Sequence, residues 1–233
     1  YQLAFSSIVG LNEKSATLHY EKKRVDVRQS QTCLLDCGAR FQGYASDITR
    51  SYAAGFCDSR WKALLAGMEK LELELCSEVK VGVSFGQVHV LAHRKIAQLL
   101  SDAGVLKVGA DEALAKKLTM PFFPHGLGHH LGIQVHDVGG KLAAPDGTLQ
   151  PPPEGYPTLR NTRVVEPGHV LTVEPGLYFI PMLLRPFREN EHARLFNWTL
   201  IDELTPLGGI RIEDDVLATA SGPRNLTRPH LPW

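Results

Sequence analysis

Four carboxylates interrupt runs that are otherwise apolar: Asp36 in "LLDCGA", Asp47 in "ASDITR", Glu174 in "LTVEPG" and Glu213 in "GIRIED". Runs of this composition belong in a protein interior, where an unpaired carboxylate costs several kcal/mol. Few cations lie near them in sequence, Arg50 and Arg211 being the credible ones. Salt bridges would satisfy one or two of the acids, whereas a pair of divalent metal ions would satisfy all four at once. The fold must therefore bring these acids to compensating charge.

A second feature points the same way. The stretch "PFFPHGLGHHLGIQVHDVGG" places His125, His129, His130 and His136 among glycines, and imidazole is both the commonest metal ligand and the side chain that titrates nearest neutral pH. A carboxylate-rich set with one imidazole suits hard or borderline ions such as Mn²⁺, Co²⁺ or Zn²⁺. Two such ions about 3.5–4 Å apart can share carboxylates and ready a hydroxide to attack a carbonyl or phosphoryl centre. Hydrolysis is the implied chemistry. Another pair, His89 and His93 in "HVLAH", has the i, i+4 spacing of zinc proteases, but Val90 stands where their general base would be. We expect that pair to be packed or solvated rather than part of the site.

Around these residues the pattern predicts a mixture of strands and helices. Ile8 to Tyr20 predicts a hairpin turning at "NEKS", and "TCLLDC" from Thr32 and the run Tyr44 to Tyr52 predict two neighbouring strands. Trp61, Leu64, Leu65, Met68, Leu71 and Leu75 recur at helical spacing from Ser59. Ser84 is placed to cap a second helix ending at Gly104. "APDGTLQPPPEGYPTL" predicts an irregular loop, and "HVLTVEPGLYF" and "GGIRIEDDVLAT" predict strands. Pro181 in "YFIPMLL" would fall in a loop after the Glu174 strand. "TCLLDCGA" and "HVLTVEPG" echo each other, which suggests two similar α/β halves facing one another.

With 233 residues and 43% hydrophobic content the chain can bury a core, and we expect one domain. A formal net charge of +0 gives no reason to expect a nucleic-acid or membrane partner, and a small neutral substrate fits better. No apolar run reaches the roughly 20 residues needed to span a bilayer, and a cytoplasmic location is expected. The cysteines Cys33, Cys37, Cys57 and Cys76 form no CxxC pair and are expected to be core thiols.

"LLDCGARFQGYASDITR", "PHGLGHHLGIQVHD", "LTVEPG" and "GIRIED" resemble, in order and spacing, the metal-binding blocks of the pita-bread metallopeptidases, which include creatinase, methionine aminopeptidase and aminopeptidase P. Within that family the chain looks most like the bacterial Xaa-Pro dipeptidases. The resemblance runs from about Ile8 to near the C-terminus and implies an α+β, pita-bread fold: two pseudo-symmetric α/β halves with a curved antiparallel sheet, forming one catalytic domain over residues 1–233. It implies Asp36 as terminal ligand of one metal, Asp47 and Glu213 as bridges, and His129 with Glu174 on the second. Manganese is the first expectation for both ions, with cobalt or zinc as alternatives. Glu174 would also shuttle the proton of a metal-bridging hydroxide, and His125 and His136 would contact substrate and stabilise the tetrahedral intermediate. His130 is assigned to structure.

The same resemblance places His19, Arg160 and Arg211 against an Xaa-Pro dipeptide, with the Arg160 guanidinium gripping the free carboxylate. A homodimer is implied for the full-length protein, as is an N-terminal domain, and this chain begins almost at the first catalytic strand. Three other readings stay open: an aminopeptidase P acting on longer peptides, hydrolysis of the organophosphorus acid anhydrolase type, and a binding module that kept the fold without the chemistry.

Overall fold

The computed structural model describes residues 2–22, 29–144 and 146–231. In chain order the elements are β1 (Gln2–Leu3), β2 (Ile8–Leu11), β3 (Thr32–Cys37), β4 (Ala39–Phe41), β5 (Tyr44–Ala45), β6 (Ile48–Ala53), α1 (Ser59–Ser77), α2 (Phe85–Asp102) and α3 (Ala110–Ala115). They continue with β7 (Val170–Val173), β8 (Gly176–Tyr178), α4 (Pro181–Arg188), α5 (Trp198–Leu204), β9 (Gly209–Arg211), β10 (Asp214–Thr219) and β11 (Gly222–Asn225). All strand pairings are antiparallel, in the orders β2-β3-β6, β1-β4-β5, β11-β10-β7 and β8-β9.

Both predicted helices form. Asp58 caps α1 by accepting the N–H of Arg60 at 2.8 Å, and Ser84 begins α2 with its N–H directed at the Gln87 side chain. Trp61, Leu64, Met68 and Leu75 of α1 are buried with Phe85, Val88 and Ile96 of α2, and Phe122, Phe179 and Phe196 extend the same core. Fully burying each such side chain contributes roughly 1.5–3 kcal/mol. Gly104 adopts φ +70° and ends the second helix as expected.

The predicted hairpin over Ile8–Tyr20 does not form. "NEKSA" is a 3-10 helix, and β2 pairs with β3 instead, Ile8 opposite Asp36. The polar residues read as a local turn bind distant backbone: Asn12 Oδ1 accepts the N–H of Gln31 at 2.9 Å, and Ser15 Oγ accepts that of Gly209 at 2.7 Å. The run Tyr44–Tyr52 divides into β5 and β6, the latter paired along β3. Cys57 and Cys76 are buried, but Cys33 is half-buried and Cys37 exposed, because they share the outer face of β3 while Leu34 and Asp36 point inward. Pro181 opens α4 rather than lying in a loop, a first-turn position where its missing N–H has no helical partner to lose.

The most consequential departure concerns the last two predicted strands. Each breaks at its acid. Glu174 and Pro175 separate β7 from β8, Ile212 and Glu213 separate β9 from β10, and the breaks face each other because Asp214 pairs with Val173 and Gly176 with Arg211. The backbone thus changes sheet at both glutamates. An isolated bridge from Thr49 to Glu213 ties this junction to β6.

Candidate metal centre

All ten residues singled out from the sequence line one cavity of about 460 Å³: His19, Asp36, Asp47, His125, His129, His136, Arg160, Glu174, Arg211 and Glu213. Asp36 comes from the inner face of β3, Asp47 from the turn into β6, and the two glutamates from the paired strand breaks. His129 follows Gly128, which runs so close to β7 that a Cβ there would lie 1.9 Å from the Thr172 carbonyl oxygen. Reciprocal bonds hold this approach: the His129 N–H reaches Thr172 Oγ1 at 3.1 Å, and the Thr172 N–H reaches the His129 carbonyl at 3.0 Å.

Ligand atoms of Asp47, His129 and Glu213 all lie within 4.8 Å of one another, with all three side chains buried. His129 Nδ1 is 2.9 Å from the carbonyl oxygen of His130, which can only accept, so Nδ1 carries a proton and Nε2 is the nitrogen turned to the cluster, a ligand once it is deprotonated. That nitrogen stands 3.5 Å from Asp47 and 3.6 Å from Glu174. Glu213 Oε2 accepts from the Thr49 hydroxyl at 2.6 Å.

Charge balance distinguishes this cluster from another. Glu72, Cys76 and Asp214 also converge, but there Arg228 contacts Glu72, Glu69 and Asp214, Arg50 meets Asp214 at 2.6 Å, and Asn225 donates to Asp214. Two guanidiniums face three carboxyl groups there, and although burial followed by Asp214 pushes Glu72 up to about 8, the group serves as a clasp between α1 and β10–β11. In the cavity the buried guanidinium is Arg211, which pairs with Asp36 at 2.5 Å, while Arg160 and Lys141 are exposed on the wall. Asp36 Oδ1 is buried with no hydrogen-bond partner among the described residues.

The electrostatic strain appears in the titration of the acids. Burial pushes the Glu174 carboxyl up to about 7, with Asp47 and Asp36 adding to the effect against His129 and Arg211. Burial followed by Asp47, Glu174 and Asp36 raises Glu213 well above the usual carboxylate range, and burial also raises Asp36. His129 moves upward because Asp47, Glu174 and the His130 carbonyl together outweigh a burial penalty acting the other way. An oxygen-rich, proton-holding cluster with one oriented imidazole fits hard or borderline divalent ions.

Three side chains outside the sequence reading complete the site. Tyr178 links two expected residues: its hydroxyl is 3.0 Å from Arg211 Nη1 and 2.9 Å from His125 Nε2. His125 Nδ1 lies 2.8 Å from the Gly126 carbonyl and donates to it, so Nε2 accepts from Tyr178 and the ring is neutral. Burial keeps it so, lowering the imidazole to about 3. Strand parity with Glu174 was the available signal for Tyr178, as parity with Asp47 was for Thr49. Lys141 lines the cavity as well, and no pattern marked it.

His136 stacks edge-on to the His129 ring at 4.4 Å. His130 faces away, against His169 at 4.7 Å. His89 and His93 are buried and lie outside the cavity lining, both 4.8 Å from the Tyr156 ring. His93 Nδ1 is 2.8 Å from the Thr119 hydroxyl. Desolvation holds these two imidazoles neutral, at about 4 and about 2.

Residues 1–220 match the model of metallopeptidase family M24. The chain is 50% identical over 226 residues to a Xaa-Pro dipeptidase of Marinobacter nauticus, covering 96% of this chain and 51% of that protein. It is 44% identical over 230 residues to the Xaa-Pro dipeptidase of Pseudoalteromonas atlantica, covering 97% and 52%. The chain therefore spans about half the length of the curated relatives it matches. Among solved structures it resembles proline aminopeptidase P II from Yersinia pestis, with a TM-score of 0.77, 31% identity and coverage of 99% of this chain and 46% of that one. It also resembles zinc-substituted Escherichia coli aminopeptidase P in complex with product, with a TM-score of 0.75, 32% identity and coverage of 99% and 45%. The converging acids, the oriented imidazole and these matches lead to one assignment: the chain belongs to metallopeptidase family M24.

Proposed function

We propose that this chain is the catalytic domain of a Xaa-Pro dipeptidase that works with two divalent ions. The observation that carries the reading is the joining, in one cavity, of a carboxylate and imidazole cluster with an exposed guanidinium, Arg160, on the wall. Asp36 would hold one ion, His129 and Glu174 the other, and Asp47 and Glu213 both. The donor set favours manganese, with cobalt or zinc also compatible; zinc is the ion named for the Escherichia coli neighbour. Two ions there would supply Lewis acidity and a water acidified toward neutral pH.

The chain's own residues do the rest. Glu174, whose carboxylate lines the cavity beside the cluster, accepts a proton and returns it. Arg211 fixes Asp36 and, through Tyr178, the ring of His125. His125 and His136 frame the scissile bond, and His19 borders the same cavity. Arg160 binds the carboxylate that follows proline, which a longer peptide cannot offer at that point. The two facing strand breaks support a pita-bread arrangement of two halves. Homodimerisation and a cytoplasmic location of the full-length protein belong to the same proposal; no helix among the described residues is long and apolar enough to cross a membrane.

The structural neighbours favour a second reading, an aminopeptidase P that accepts longer peptides. Hydrolysis of Leu-Pro compared with Leu-Pro-Gly-Gly, in the full-length protein and in Arg160→Ala, separates the two. Dipeptide preference that falls in the variant supports the dipeptidase. Equal use of both peptides by the unmutated protein overturns it, cleavage of a fluorophosphate alone points to organophosphorus chemistry, and absence of metal binding to a binding module.

A further inference from the structure

The cavity's cations are distributed unevenly. Arg211 is buried and committed to Asp36, while Arg160 and Lys141 are exposed on the wall and neither has a carboxylate partner among the described residues. Some other surface cations pair with carboxylates, as Lys95 does with Glu74 at 2.5 Å and Arg163 with Glu166 at 2.8 Å; what sets Arg160 and Lys141 apart is that both line the cavity.

The two wall cations rise from backbone segments fastened together. The Thr162 and Arg163 N–H groups donate to the Gly140 carbonyl at 2.7 and 3.2 Å, and the Gln150 N–H donates to that of Lys141 at 2.7 Å. Thr162 Oγ1 closes the patch on the Gln150 carbonyl at 2.6 Å. The segments meet so closely that a Cβ on Gly140 would stand 2.7 Å from the Arg160 carbonyl oxygen. Two cations on the wall of one cavity, on segments fastened together, form a place where an anion is favoured.

We infer that Lys141 is a specificity-determining residue that shares the substrate's terminal carboxylate with Arg160. The inference rests on the dipeptidase reading for the identity of that carboxylate. Arg160 supplies the planar fork and Lys141 a mobile point charge on its flank, so a free acid is taken in preference to the amide of the same peptide.

The test uses the metal-loaded full-length protein with Lys141→Ala, Lys141→Gln and Lys141→Arg, and two readouts. Calorimetric binding of proline against prolinamide reports on the clamp without turnover. For Lys141→Ala and Lys141→Gln, proline binding and the KM for Leu-Pro weaken about fivefold to tenfold, as for loss of one charge-assisted contact at an exposed site. The kcat stays within about twofold, since the contact is made equally in ground and transition states. Lys141→Arg retains wild-type binding, and prolinamide and Leu-prolinamide are unaffected throughout. Unchanged proline binding in Lys141→Ala overturns the inference, as does an equal loss for acid and amide. Failure of wild-type protein to cleave Leu-Pro would count against the dipeptidase reading instead, while proline binding would still decide the role of Lys141.

Discussion

Replacing Glu174 by Gln should change how many protons leave the protein when metal binds. The folded, metal-free chain holds the Glu174 carboxyl at about 7, against an ordinary 4.5, because burial and the neighbouring Asp47 and Asp36 penalise its charge. A ligand must bind as carboxylate, so metal uptake expels any proton it carries. At pH 6 a group titrating near 7 is about 0.9 protonated, and at pH 8 about 0.1. Glu213, shifted in the same direction, releases its proton alongside. Isothermal calorimetry with Mn²⁺ in two buffers of different ionisation enthalpy gives the proton count directly. Wild type should release close to one proton more than Glu174→Gln at pH 6, and the difference should nearly vanish at pH 8. Its metal affinity should rise with pH across this range, since the apo form binds the extra proton. Equal proton counts in the two proteins at pH 6 would refute the idea that the cluster stores protons in place of cations.

Other parts of the molecule carry further expectations. Arg228→Ala strips one guanidinium from buried Glu72 and Asp214, and because Arg50 stays on Asp214 the loss in a urea titration should be about 1–3 kcal/mol, with metal stoichiometry unchanged if the chain stays folded. Gly128→Ala sets a Cβ against the Thr172 carbonyl, so metal affinity should fall along with stability, whereas Gly55→Ala, where a Cβ meets only open space, should leave both intact. His93 is neutral when folded, at about 2 against an ordinary 6.5, so the unfolded chain binds more protons below pH 6.5 and stability falls as pH drops. His93→Leu should therefore lose about 2 kcal/mol less than wild type between pH 7 and pH 5, read from urea midpoints.

Much of the site was legible because an acid in an apolar run has few physical solutions. Asp36, Asp47, Glu174 and Glu213 had to meet compensating charge, and the structure brings them into one cavity with His129. The helices were equally readable, since Trp61 to Leu75 repeat with a helical period and Ser84 caps the second helix. The hairpin at Ile8 failed where side chains such as Asn12 and Ser15 reach backbone 19 and 194 residues away, a choice no local window contains. The strand breaks at Glu174 and Glu213 were hidden for the same reason: each is set by the strand opposite. Lys141 left no trace because its significance lies in the Gly140–Thr162 contact, between segments separated by the proline-rich loop.

The central claim is that Asp36, Asp47, His129, Glu174 and Glu213 jointly hold two divalent ions. Anomalous diffraction at the manganese edge from crystals of the Mn²⁺-loaded protein tests it most directly. Two peaks about 3.5–4 Å apart, with Asp47 and Glu213 touching both, are expected. A single peak, or peaks centred on separate groups such as the Glu72–Asp214 clasp, would contradict it.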